Sequence, residues 1–296
     1  MQEFSLLSSP MRPHLERLIS GCSSRLMIAS PYIKKSAIQW LAATKPPSLQ
    51  EISVLTNLSI ESILSRSLEM AALREVFASF KNVSIMSLQH LHAKIFVADE
   101  RTALITSANF TTGGLLTNYE YGILIRHQPI VDNIMQDVIA YQRLGGIVTL
   151  DLLDKIEDNV AELTTVQNQA ESNPSTKALR RKAREFQIAL QDILLSNRVC
   201  QGRTINRIFS DTILLILTKH SEGMTTQQIH SEIRSIHPDI CDDSIDRVIN
   251  GQHFGKKWKH HVRRAQEFLK GRNIIANASG IWRLKDYAFS NPLPSD

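Results

Sequence analysis

Residues His90–Ile125 read HLHAKIFVADERTALITSANFTTGGLLTNYEYGILI. Three apolar runs, AKIFVA, TALITSA and YEYGILI, are separated by short polar turns, the pattern of an antiparallel strand succession. Side chains two apart on a strand share a face, so His92, Lys94 and Phe96 point the same way. A tight turn at Asp99-Glu100-Arg101 returns the chain antiparallel and sets Ser107 and Asn109 beside His92 and Lys94. A third strand brings Glu120 to the same neighbourhood. Lys94 interrupts an apolar strand, where a charge is costly unless it has a task or a partner.

Outward from this stretch the first half alternates helix-like and strand-like segments. HLERLISGCSS predicts a helix, RLMIASPYI a strand closed by Pro31, KKSAIQWLAAT a helix and EISVLTNL a second buried strand. ESILSRSLEMAALREVFASF carries Ile63, Leu64, Leu68, Leu73, Val76 and Phe77 at helical spacing. NVSIMSL adds a strand before the quoted run, and VDNIMQDVIAYQRL closes the domain near Leu150. Helices interleaved with strands indicate an α/β domain with a mixed sheet. DKIEDNVAEL reads as an exposed acidic helix and TTVQNQAESNPST as a linker. TKALRRKAREFQIALQDILLSNRV restarts as a basic helix capped by Thr176. The expected division is a catalytic domain over 1–150, a connecting segment over 151–204 and a second domain over 205–296.

The chain has 296 residues, 43% of them hydrophobic, enough for a core without disulfide staples. Cys22, Cys200 and Cys241 are far apart and odd in number, so neither a disulfide framework nor a CxxC metal site is expected. With no spanning apolar run and no signal-type N-terminus, a cytoplasmic protein with no membrane association is expected. The net charge is +5 and unevenly spread: residues 151–176 hold one Lys and six acids, whereas from Lys177 onward 20 basic residues face 12 acidic ones. Nucleic-acid contacts are therefore sought in the C-terminal part.

The residues of the quoted stretch suit phosphoryl transfer. An imidazole attacks phosphorus and is released again. An ammonium and a carboxamide hold the anionic oxygens as charge grows. A carboxylate behind the imidazole fixes its tautomer. The catalytic candidates are His92, Lys94, Asn109, Glu120, Ser107 and Asp99. No metal or other cofactor is expected.

The spacing His92-x-Lys94, four residues, Asp99, then Ser107-x-Asn109 resembles the HKD motif of the phospholipase D superfamily. Thr106 stands where that family usually has Gly. The resemblance covers residues 15–145 and implies a phospholipase D-like mixed sheet flanked by helices. It also implies a covalent phosphohistidine, with a second histidine protonating the leaving oxygen. This chain holds one such motif, so the resemblance implies a homodimer that completes the active site, as in the small single-motif nucleases of the family. There Glu120 corresponds to the carboxylate that orients the histidine.

From Ser210 the pattern becomes helical with a short hairpin. SDTILLILTKHSEG, TTQQIHSEIRSIH capped by Thr225, and DDSIDRVINGQHF are read as helices. GKKWKHHVRRAQEFLKGRNII is an amphipathic helix with Trp258, Val262, Ala265, Phe268 and Leu269 on one face. IIANASGIWRLK is a two-stranded wing turning at Ser279-Gly280. That order makes a mainly α winged-helix domain. Trp258, Val262, Arg263, Ala265, Leu269, Lys270, Gly280, Trp282, Arg283 and Leu284 resemble the N-terminal winged helix of Mrr-type restriction enzymes, which implies DNA binding. Lys256, Lys257, Lys259, His260, Arg263 and Arg264 are the candidate DNA contacts.

Together these readings anticipate a metal-independent DNA endonuclease acting in restriction of foreign DNA, with or without an ATP-dependent motor or other restriction subunit. A phospholipid phosphodiesterase, or a DNA-binding protein with a decayed site, is the alternative, and RNA is a second possible substrate.

Overall fold

The computed structural model describes residues 2–59, 62–63, 65–158, 160, 193, 204–238, 240–249 and 251–285. The chain divides into two units, Met1–Arg198 and Val199–Asp296.

The first unit is built on strands β1 (Phe4–Ser8), β2 (Arg25–Ala29), β3 (Glu51–Thr56), β4 (Asn82–Ser87), β5 (Ile95–Ala98), β6 (Thr102–Thr106), β7 (Tyr121–Ile125) and β8 (Gly146–Ile147). They form one sheet in the order β1-β7-β6-β5-β2-β3-β4-β8. β2, β3 and β4 run parallel, and every other pairing is antiparallel. Parallel neighbours need crossovers. Helix α2 (Lys35–Thr44) joins β2 to β3, and α3 (Met70–Ser79) lies between β3 and β4. Helix α1 (Arg12–Ser20) precedes β2, and α4 (Gln128–Leu144) follows β7. This is the expected mixed sheet flanked by helices.

β2 is buried at four of its five positions, as a strand covered on both faces must be. Leu26, Ile28, Ile52, Val54, Phe96 and Phe110 form the centre of the core. Phe96 and Phe110 meet edge to face at 5.5 Å, and this contact ties β5 to the loop beyond β6. The core continues past Leu150. A helical run over 150–158 buries Leu152, Leu153 and Ile156, so the acidic segment docks by an apolar stripe instead of standing in solvent. The rest of the connecting segment, including Thr176, the basic helix and Cys200, lies outside the described residues but for 160 and 193.

Two first-unit expectations need correction. The helix read from residue 61 is not continuous: residues 62–63 are helical, and after a break at Arg66 the chain resumes as α3 at Met70. Before it, Ser62 Oγ donates to Asn57 O at 2.6 Å, Ser59 N donates to Ser62 Oγ at 3.0 Å, and Arg66 adopts a φ of 54°. These serines cap a short helical turn, with Ser62 N donating to Ser59 Oγ at 3.2 Å and Ile63 N to Ser59 O at 3.0 Å, and the positive φ of Arg66 separates that turn from α3. The N-terminal stretch, assigned no element, forms β1 along β7.

The second unit contains α5 (Ile205–Lys219), β9 (Met224–Thr225), α6 (Thr226–Ile236), β10 (Asp246–Ile249), β11 (Gln252–Lys256), α7 (Lys257–Gly271), β12 (Ile275–Ala278) and β13 (Ile281–Leu284). α6 opens with a capping box between Thr225 and Gln228. β12 and β13 turn at Ser279-Gly280, both with positive φ as a type I′ hairpin requires. β13 also pairs with β9. The segment read as a third helix, DDSIDRVINGQHF, instead supplies the β10–β11 hairpin. On α7, Trp258, Val262, Ala265 and Leu269 are buried as expected, but Phe268 is exposed and lies under the Arg272 guanidinium.

Candidate active site

The topology gathers the reactive groups at one end of the sheet. β5 runs antiparallel to β6 and β6 to β7, so the start of β5, the end of β6 and the start of β7 are adjacent. The carboxyl ends of the parallel strands β2, β3 and β4 lie at this same end, the usual place for a site in an α/β sheet. β5 begins at Ile95, so His92 and Lys94 occupy its lead-in, where Thr106 N still donates to Lys94 O at 3.1 Å.

Lys94 is 8% exposed, although it carries an ammonium. Its Nζ lies 3.1 Å from His92 Nδ1 and 3.3 Å from Nε2, and donates to His92 O at 2.8 Å. Burial lowers the pKa of Lys94, and the negative charge of Glu120 opposes that shift. The imidazole of His92 is exposed above this ammonium.

Glu120 is built in from several sides. Ser107 Oγ donates to Glu120 Oε2, and Asn118 Nδ2 donates to Oε1 at 3.2 Å. Glu120 N donates to Ser9 Oγ, and Ser9 N donates to Glu120 O at 3.0 Å. The carboxylate therefore meets Ser107 and Asn118 directly and reaches Lys94 through its field. The sequence reading missed Ser9 and Asn118. Asn118 sits two residues before Glu120, a spacing that brings both side chains to one side of an extended chain. Ser9 had no sequence signal, because its strand went unassigned.

Asn109 lies just past β6, and its Oδ1 is buried without a hydrogen-bond partner. Its backbone is pressed by Gly114, where a Cβ would lie 2.4 Å from Asn109 O. Gly114 belongs to a π-helical turn, Gly113–Thr117, of the kind enriched at functional sites. A cleft of about 450 Å³ beside Asn109 is bordered by Tyr32, Ser36 and Thr112, and by Lys34 with its charge met by Glu69 at 3.2 Å. The unusual Thr106 is accommodated by its neighbour on β7. It donates to Tyr121 O at 2.9 Å, while Gly122 leaves it space; a Cβ there would come 3.1 Å from Thr106 Cβ.

Asp99 is not part of this group. It sits at the opposite end of β5, in a turn where Asp99 and Glu100 both have positive φ. Its carboxylate accepts from Ser23 N, Ser24 N at 2.9 Å and Arg25 N at 3.0 Å. Burial alone would raise its pKa, but these backbone donors hold it well below the carboxylate range. Asp99 thus pins the entry to β2 against the β5–β6 turn, a structural task. Asp99→Asn is expected to lower stability at neutral pH by about 2 kcal/mol, read by urea unfolding, with cleavage per folded molecule unchanged. A depressed folded pKa means that this stabilisation is complete above the ordinary carboxylate range and fades as pH falls towards the folded value.

Among the described residues no group of three or more His, Cys, Asp or Glu is placed to hold a metal ion. No described helix is long and apolar enough to cross a membrane.

In the second unit, Lys257, Lys259, Arg263 and Arg264 are exposed along α7, and among the described residues no carboxylate lies within ion-pair distance of them. Lys256 and His260 are engaged differently. Lys256 pairs with Asp246 at 2.9 Å, and His260 contacts Phe254 O at 2.7 Å and Arg247 at 3.1 Å. Both hold the β10–β11 hairpin.

Residues 15–141 match the family model described as "Cardiolipin synthase, PLD-like domain". The chain therefore carries a PLD-like domain. Among solved structures it is similar to Nuc, a phospholipase D family member from Salmonella typhimurium, at 13% identity and a TM-score of 0.41, over 49% of this chain and 97% of that one. It is similar to NucT from Helicobacter pylori at 12% identity and a TM-score of 0.38, over 47% and 94%. Phosphatidylserine synthase of Haemophilus influenzae is matched at 16% identity and a TM-score of 0.36, over 55% and 46%. No curated protein matches the chain.

Proposed function

We propose that the PLD-like domain is the catalytic module of a metal-independent phosphodiesterase that cuts DNA, with His92 as nucleophile. The observation that carries this reading is the buried Lys94 ammonium against the His92 ring, at the sheet end that also holds Asn109, Ser107 and Glu120. A buried cation beside an exposed imidazole suits a tetrahedral phosphodiester better than a carbonyl substrate, because two anionic oxygens need neutralising. In the first step a ring nitrogen of His92 bonds to phosphorus, and the bond to the leaving ester oxygen breaks. A second histidine gives that oxygen its proton. Water then attacks phosphorus, losing a proton to the same second histidine, and the P–N bond breaks to free His92.

We assign the second histidine to His92 of another copy. Large apolar side chains exposed around Glu120 support a homodimer there: Tyr119 is fully exposed and Tyr121 is 57% exposed, and Leu6 on the edge strand β1 is 70% exposed. The second unit, read as a winged helix, is assigned to DNA, supported by the exposed cations of α7. Arg263→Ala or Arg264→Ala should weaken binding and reduce the slope of log affinity against log salt by about 0.9 per lost phosphate contact. An unchanged slope in both would assign that face to protein contacts. We read the cellular role as restriction of foreign DNA, alone or with an ATP-driven partner subunit.

The experiment is cleavage of plasmid and phage DNA by the full chain in excess EDTA, beside phospholipid vesicles as a competing substrate. Discrete DNA fragments support site-specific restriction. Hydrolysis of lipid with DNA left intact would overturn the nuclease reading and leave a phospholipid phosphodiesterase.

A further inference from the structure

The β10–β11 hairpin is an unexpected insertion between α6 and α7, and its construction is unlike that of a solvated loop. It is anchored at its base. Lys257 N donates to Ile245 O at 2.9 Å, Asp246 pairs with Lys256 at 2.9 Å and contacts His253 at 3.2 Å, and His260 of α7 holds Phe254 O at 2.7 Å. Beyond that base it stands clear. Gly251 and Gly255 have positive φ, and no atom lies within 4 Å of where a Cβ would be at either.

The register contains a bulge. Asp246 faces Lys256 and Val248 faces His253, so the single residue Arg247 opposes both Phe254 and Gly255. A bulge with glycine at positive φ twists a ribbon and re-aims its side chains. Here it leaves Phe254 46% exposed and Val248 51% exposed on a short ribbon with little core to share.

The surroundings are basic. Lys257, Lys259, Arg263 and Arg264 are exposed on the helix that follows directly. The acids at the base of the hairpin are engaged: Asp243 by Arg234 and by Trp258 Nε1 at 2.9 Å, Asp246 by Lys256 and His253, and Asp242 by Ser244 N at 2.7 Å. An exposed phenylalanine in the bulge, beside exposed cations with no carboxylate at ion-pair distance among the described residues, fits a polyanion that also offers flat apolar faces, namely stacked bases behind phosphates.

Resting on the DNA reading above, we infer that the hairpin is a wedge: Phe254 packs against the bases of duplex DNA whose phosphates lie on α7. Groove binders use apolar side chains in this way, unstacking a base step beside their phosphate contacts. Such a contact supplies affinity without ion release, so it separates from the cations of α7 by its salt dependence.

The test is titration of the full chain, carrying His92→Ala throughout to keep the DNA intact, onto a duplex containing 2-aminopurine at several salt concentrations. Phe254→Ala should weaken binding about tenfold, leave the salt slope unchanged, and remove the fluorescence rise that reports unstacking. Phe254→Tyr should keep both affinity and the fluorescence rise. Because Phe254 is exposed, its loss should not alter the thermal melt. Unchanged affinity and fluorescence in Phe254→Ala would overturn the wedge while leaving DNA binding intact. A slope reduced as far as by Arg263→Ala would also overturn it, since the contact would then be ionic. If the parent chain binds no duplex at any salt, the DNA assignment itself falls, and the wedge with it.

Discussion

His92→Ala is expected to lower phosphodiester cleavage by about 10⁴-fold or more while leaving DNA affinity within about twofold. The size follows from the step that is lost. Without the ring no P–N bond forms, and Lys94 and Asn109 can only polarise a phosphate that water must attack unaided. The separation of cleavage from binding follows from geometry, because the exposed imidazole is not packed into the core, whereas Lys94 beneath it is. Side-by-side rates and binding isotherms check this. A parallel loss of affinity would make His92 a substrate clamp instead of a nucleophile.

Glu120→Gln is expected to change the pH profile as well as the rate. The ammonium of Lys94 neutralises phosphate oxygens only while it is protonated. Burial lowers its pKa and the charge of Glu120 holds it up. In the wild type the alkaline limb should therefore fall below the ordinary lysine range. Removing the Glu120 charge should move that limb to still lower pH, and its hydrogen bonds to Ser107 and Asn118 should weaken. A drop of about 10²-fold at the optimum is expected from the disturbed positioning. A rate that falls with the alkaline limb unmoved would show that Glu120 does not act on Lys94 through its charge.

Much of the site was legible before the fold was known, because its residues break the rules of the strands that carry them. A lysine in KIFVA and a Ser-x-Asn ending TALIT are unfavourable for packing alone, and antiparallel return over a short turn puts them together. Asp99 shows the limit of that reasoning. It belongs to the same linear motif, yet four strand residues carry it to the far end of β5, where three backbone N–H groups claim its carboxylate. Linear spacing records that two residues are needed, not that they meet.

Other elements were hidden for local reasons. β1 is a five-residue edge strand whose alternate residues stay exposed, so FSLLS carries no core signature. The segment that forms the β10–β11 hairpin has Ile245, Val248 and Ile249 at helical spacing, but a glycine at positive φ follows and Ile245 and Val248 stay about half exposed, so no core rewards a helix there. The apolar periodicity of the residue 61–80 segment does not reveal its break, which falls at Arg66, where φ is 54°.

The central claim is a covalent bond to His92. The direct measurement is a denaturing quench of single-turnover cleavage, using DNA with a single ³²P at the scissile phosphate. The protein should be labelled transiently, through an acid-labile, alkali-stable linkage mapping to His92, and His92→Ala should carry none. Turnover without labelled protein at any quench time, or equal label on His92→Ala, would contradict it.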